Sequence, residues 1–379
     1  MKSSNIRYLP AVDHIRAFAS ILILLYHGLH LFGYRHRFGS SFTFENWAVV
    51  DNPFLAFLLE GHTAVALFMV LSGFIFTYGT LGSTPDYGRF LLNRVLRIYP
   101  MVILFLIAGL AVFPAQATLP GIAQTLLMLG NVPGAVQIPP FSSMFWAIAV
   151  EFQFYLLFPF LIRWLNERGP RHLIGLLVLM LAIRGLGVMM GVGARDLSYW
   201  TLVGRADQFL LGMVAGYVAL RHPGVCRAPA AIVAGAVAVI LAAWLNRLGG
   251  WPMEGAWRIL MPTVEAVVWA VFVLGYLDLG RHLPGWLSLP LCRLGEISFS
   301  IYLWHFVVIE ALLRFGWAPR MTGDALIDAL LDTLLLALPV TLALSWLTWT
   351  LVESPFLRMR RRYVIRDAGT GGDMKRRRA

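Results

Sequence analysis

Long apolar runs recur along this chain from residue 12 to residue 352, separated by short polar or Gly- and Pro-bearing segments. A helix needs roughly 20 apolar residues to cross a bilayer. Runs that approach or exceed that length lie at 12 to 33, 56 to 80, 98 to 115, 143 to 165, 171 to 193, 203 to 220, 229 to 248, 258 to 279, 295 to 315 and 327 to 352. The pattern predicts an all-α fold, a polytopic transmembrane helical bundle of about ten spans. A weaker run at 119 to 132, LPGIAQTLLMLGNV, is short and flanked by Gly and Pro, and reads as a re-entrant or interfacial piece.

Composition agrees, since 59% hydrophobic residues, 13% charged residues and a mean hydropathy of +0.71 exclude a soluble domain. Charge then orients the bundle. With both termini placed inside, the cytoplasmic segments carry more than twice the Lys and Arg of the outer ones, and an eleventh span at 119 to 132 would reverse that bias. The net charge of +11 therefore reads as topology and contact with anionic membrane lipids, not as nucleic-acid binding. The first run, flanked by Lys2 and Arg7, is too long and too polar for a signal-peptide core and reads as a retained span. Cys226 and Cys292 form neither a disulfide framework nor a metal pattern, and no metal is expected.

Several spans hold polar groups, which in a membrane face the bundle interior. Arg16 and His27 are eleven positions apart, hence on one face of the first helix and about 16 Å apart along its axis. Either Arg16 snorkels and His27 bonds a neighbouring helix, or the two serve a site. Glu151, in FWAIAVEFQFYLLFP, falls within about a turn of the depth of His27, so the pair could act as general base and orienting carboxylate; a structural, paired or protonated Glu is the alternative. His305, in SFSIYLWHFVV, competes with His27 for that role. Arg94 and Arg97, in the amphipathic segment RFLLNRVLRIYP, share a face and suit a phosphate-bearing ligand, or are cytoplasmic topology signals. Ser72 and Gly73 in LFMVLSGFIFTY allow close helix approach or a local break where a ligand enters.

The stretches VDHIRAFASILILLYH, LFMVLSGFIFTY, RFLLNRVLRIYP, FWAIAVEFQFYLLFP, LGEISFSIYLWH and LVESPFLRMR, in this order and spacing, resemble the acyltransferase-3 family of bacterial membrane O-acyltransferases. The resemblance covers residues 9 to 357 and implies one integral-membrane domain over that range, followed by a basic cytoplasmic tail at 358 to 379 expected to be disordered. It implies acyl transfer, usually of acetyl from acetyl-CoA, to a hydroxyl of a cell-surface glycan, in the bacterial inner membrane. By position, the family's first-helix Arg and His correspond to Arg16 and His27, the arginines after its second helix to Arg94 and Arg97, and its last-motif glutamate to Glu353. Two departures stand out: Phe152 replaces a second acid beside Glu151, and the usual EKPF reads ESPF.

Together these readings give catalytic candidates His27 and Glu151, acyl-CoA-binding candidates Arg16, Arg94 and Arg97, and further candidates His305, Ser72 and Glu353. The donor is acetyl-CoA or another acyl-CoA, and the acceptor is a glycan or lipid-linked glycan. The outer segment 116 to 144 has no Lys, Arg, Asp or Glu, and Tyr34, Phe38, Phe42, Phe44 and Trp47 could stack on sugars or form an interfacial belt. A transporter or flippase for a lipid-linked sugar is the reading from another class. Another membrane acyltransferase family, with its site at His305, would keep the reaction.

Overall fold

A computed structural model describes residues 8–225 and 227–365, so Lys2, Arg7, Cys226 and the tail residues 366–379 lie outside the described residues. In chain order the helices are α1 (Pro10–Phe38), α2 (Pro53–Leu59), α3 (Thr63–Thr80), α4 (Tyr87–Val112), α5 (Leu119–Leu126), α6 (Phe145–Arg168), α7 (Arg171–Met189), α8 (Ala194–Trp200), α9 (Leu202–Arg221), α10 (Ala228–Arg247), α11 (Met261–Leu279), α12 (Gly285–Glu296), α13 (Ser298–Arg314) and α14 (Ala325–Arg358). Strand occurs among the described residues only as an antiparallel pair, β1 (Thr84–Pro85) with β2 (Val364–Ile365).

Among the described residues eight helices are long and apolar enough to cross a membrane: α1, α3, α4, α6, α7, α10, α11 and α14. The pair α12 and α13, bent by 71°, passes only when taken together. The other span expected from the sequence is α9, 20 residues long but carrying Arg205, Asp207 and Gln208 buried near its start. Those polar groups have partners: Arg184 of α7 donates to Asp207 at 2.7 Å, and Thr263 of α11 donates to the same carboxylate at 2.5 Å. A buried ion pair with further hydrogen bonds to its carboxylate is how such charges are accommodated inside a helical bundle.

Several element boundaries differ from the sequence reading, among them the expected span 56 to 80, which is broken after Leu59 into α2 and α3. The segment 89 to 100, expected as a separate cytoplasmic piece, is the first half of α4. Asp86 caps that helix by accepting from the Arg89 N–H at 2.8 Å, and nothing breaks it before Pro100, which it absorbs. The span expected at 295 to 315 starts at Ser298, after the bend. The short run at 119 to 132 holds only the eight-residue α5.

At the centre stands α1, which starts with Pro at its first turn, ends at Gly39 in the left-handed region (φ 70°), and packs against α3, α12, α13 and α14. By contrast α7 turns Ile174, Val178, Leu186 and Met189 outward, an apolar surface suited to lipid. Where α3 meets α9, a Cβ on Gly73 would lie 2.1 Å from the Phe209 carbonyl oxygen, and one on Gly212 would lie 2.0 Å from that of Val70. Close approach is thus the role of Gly73 in the Ser72–Gly73 step. The last helix, α14, contains two π turns, Thr333–Ala337 and Trp349–Glu353, each closed by a hydrogen bond one residue longer than the helical norm. The first lies against Gly28, next to His27 on α1. Of the expected tail, residues 358–365 end α14 and form β2.

Candidate functional site

A cavity of about 240 Å³ opens between α1, α3, α4, α6, α13 and the end of α14. Arg16, Arg94 and Arg97 all line it, as do Ser72 and Glu151. The i, i+3 spacing that put Arg94 and Arg97 on one face therefore aims both inward, while Arg89 is exposed, 3.7 Å from Asp86.

Each arginine is held differently. Arg16 donates to Asp13, one turn back, at 3.2 Å. Arg97 donates to Glu353 at 2.5 Å, and that buried carboxylate also accepts from the Ser300 hydroxyl. The second π turn of α14 carries Glu353, so this glutamate sets the position of Arg97. Arg94 has no carboxylate partner among the described residues; its guanidinium lies over the rings of Phe76 (4.7 Å), Phe90 (5.5 Å) and Tyr155 (5.7 Å). A guanidinium resting on aromatic faces keeps its N–H fork available to an anion.

The two histidines that sequence reasoning set in competition are neighbours. His305 Nδ1–H donates to the Ile301 carbonyl at 3.1 Å, which leaves its Nε2 as an acceptor. That Nε2 lies 3.0 Å from Nδ1 of His27, whose N–H is shared with the Ile23 carbonyl at 3.1 Å. This tautomer chain leaves Nε2 of His27 with a lone pair and no hydrogen bond among the described residues, on a side chain that is partly exposed. Such a nitrogen can take a proton or attack an electrophile.

Glu151 is not part of this pair. Its carboxylate accepts from Ser72 at 2.5 Å, on the arginine side of the cavity, so the carboxylate expected to orient His27 is replaced there by a second imidazole. Counting residues fixes the height of a side chain along its helix; it does not fix which neighbour it faces. Gln153, two positions on, instead ties down the loop after α5 through Met128 and Asn131.

Tyr302 connects the two regions. It lines the cavity and stands 5.8 Å, centroid to centroid, from His305. Beyond His27 lies a polar layer that sequence reading did not find: Tyr26 packs edge-on to His27, His30 and His62, and the buried Glu60 accepts from Trp47 at 2.8 Å and Asn246 at 2.9 Å. Only the GLH and GHT triplets in apolar context mark His30 and His62 in the sequence, and neither spacing points to a partner. No group of His, Cys, Asp and Glu among the described residues is arranged to hold a metal.

Comparison with known proteins fits this architecture. Residues 9–350 match the family model Acyl_transf_3, described as an acyltransferase domain. The acyltransferase MdmB of Streptomyces mycarofaciens is 28% identical over 327 residues, covering 79% of this chain and 81% of its own. A protein of Komagataeibacter xylinus named as the membrane-bound transacylase BcsY is 27% identical over 301 residues, covering 73% of this chain and 75% of its own. One of Staphylococcus aureus strain COL, named as an O-acetyltransferase, is 24% identical over 347 residues and covers 82% of this chain, which spans about half (52%) of that relative's length. No solved structure matches the chain. With the family model spanning nearly all of a helical chain that has eight candidate membrane spans, this protein belongs to the acyltransferase-3 family and is an acyltransferase of groups other than aminoacyl groups.

Proposed function

We propose that this protein moves an acyl group, acetyl in the first instance, from cytoplasmic acyl-CoA to a hydroxyl of a cell-surface or exported glycan, or of its lipid-linked precursor, in the bacterial inner membrane. The observation that carries the reading is the cavity lined by Arg16, Arg94 and Arg97, one wall of which, Tyr302, stands 5.8 Å from His305, the partner of His27. A nucleotide thioester is strongly anionic at one end and neutral at the other, so a basic pocket separated by about 16 Å of helix from a free imidazole nitrogen matches its two ends. The relatives named for transacylation and O-acetylation support the same reaction class.

In this reading His27 Nε2 accepts the proton of the acceptor hydroxyl as its oxygen attacks the thioester carbon. The C–S bond breaks, and the departing CoA thiolate takes up that proton. An acyl-imidazole formed on the same nitrogen would use the same lone pair. His305 holds the tautomer, Glu353 holds Arg97, and Glu151 with Ser72 belongs to the donor pocket. Both termini lie in the cytoplasm, as the basic bias of the loops favours. Incubating purified protein with labelled acetyl-CoA tests the reaction: CoA release that increases with a glycan acceptor is expected, and a transporter would release none. Mass spectrometry of surface glycans from a deletion strain identifies the group and the hydroxyl.

A further inference from the structure

The stretch after α14 reads in sequence as Met359 followed by three arginines, the usual flank of a cytoplasmic helix end. The structure treats those arginines unequally. Arg361 and Arg362 are exposed, whereas Arg360 lines the cavity together with Arg16, Arg94 and Arg97. What puts it there is a strap. Asn93, fully buried on α4, donates to the Arg361 carbonyl at 2.7 Å and accepts from the Arg361 N–H at 2.9 Å. Two residues on, Tyr363 is buried with its ring edge-on to Phe90, its carbonyl accepts from the Asp86 N–H at 2.8 Å, and β2 pairs with β1.

Arg360 has no ion pair among the described residues, and neither has Arg94; the Nε of each is buried without a hydrogen-bond partner. Burial, then Arg94, Arg97 and Arg16, push the Arg360 guanidinium down to about 8. Two of the four cavity arginines are paired with Glu353 and Asp13, so two guanidinium groups without an ion pair among the described residues, Arg94 and Arg360, face one partly enclosed space that Glu151 and Glu296 also line. Two guanidinium forks that no carboxylate holds, side by side in such a place, favour the oxygens of a phosphate.

Resting on the acyl-CoA reading above, we propose that Arg360, carried into the cavity by the 359–365 strap, joins Arg94 in binding a phosphate group of the donor's nucleotide. The strap thereby makes the C-terminal end of the membrane domain part of the donor site.

Coenzyme A titrated into the purified full-length protein reads this directly. Arg360→Gln should weaken binding roughly tenfold to a hundredfold, as expected for loss of one charge-assisted contact. Arg360→Lys should recover part of it, which a purely structural role would not do. Arg362→Gln, on the same strap but exposed, should match the wild type. Asn93→Ala retains the Arg360 side chain but loosens the strap that positions it, and should weaken binding several-fold; it also keeps the test open if Arg360→Gln proves unstable. Wild-type affinity in Arg360→Gln would overturn the arginine's role, and wild-type affinity in Asn93→Ala that of the strap. Failure of the wild type itself to bind coenzyme A would instead remove the acyl-CoA reading.

Discussion

Nε2 of His305 lies 3.0 Å from Nδ1 of His27, and each imidazole is also bonded to the carbonyl four residues back on its own helix. The two rings thus form a fixed chain in which one nitrogen is left available, so they should differ sharply in their sensitivity to substitution. His27→Ala is expected to abolish acyl transfer, a loss of at least about 10²-fold for removal of a general base, while the protein still inserts and folds. His305→Ala should leave measurable activity, because the Ile23 carbonyl still holds the His27 tautomer. Turnover of labelled acetyl-CoA by both variants checks this, and the reverse pattern would move the reacting nitrogen to His305.

Arg94→Ala and Arg97→Ala should act on the donor, raising the KM for acyl-CoA by the equivalent of about 1 to 3 kcal/mol each. Lysine should restore part of the loss at either position. Glu353→Gln should resemble Arg97→Ala in direction, since the carboxylate that positions Arg97 loses its charge. Steady-state kinetics with acyl-CoA as the varied substrate gives the answer, and unchanged KM values in both alanine variants would reduce these arginines to topology signals.

Gly73→Ala places a methyl group where the Phe209 carbonyl oxygen is 2.1 Å away. Backbone atoms cannot step aside as a side-chain tip can, so α3 and α9 must separate, with a loss of about 1 to 3 kcal/mol for overpacking. A clear drop in the thermal midpoint of the purified protein is expected. Gly175→Ala on α7, where open space surrounds the added methyl, is the matched control.

The sidedness of the proposed reaction can be read in sealed vesicles of known orientation. Acyl-CoA should support acylation only from the side that carries the chain termini. Equal product with acyl-CoA on the opposite side would defeat a transmembrane transfer and leave an ordinary one-sided enzyme.

The helices and the arginine pair were legible in the sequence because they depend on local repeats: apolar length for the spans, and i, i+3 spacing for Arg94 and Arg97. Pairings between distant helices were not. Nothing near His27 announces His305, 278 positions away, and depth along α6 suggested Glu151 in its place. Arg184 falls in the run 171 to 193 and its buried partner Asp207 in the run 203 to 220, both expected as spans, but no spacing in the sequence joins one to the other. Arg360 stayed hidden for the opposite reason, because a basic cluster after a last span is so common that no single member stands out.

The two π turns of α14 govern what this helix can lose. Thr333 and Glu353 are twenty positions apart, and on an unbroken helix they would point about 200° away from each other. Each π turn holds one extra residue, so two of them withdraw about 200° and bring both side chains to a common face, one against Gly28 and one against Arg97. Exchanging an apolar side chain on the lipid side of α14 leaves this phase intact. Deleting one residue from either π turn swings everything beyond it by about 100°, and detaches either the histidine end or the arginine end of the bundle from its last wall.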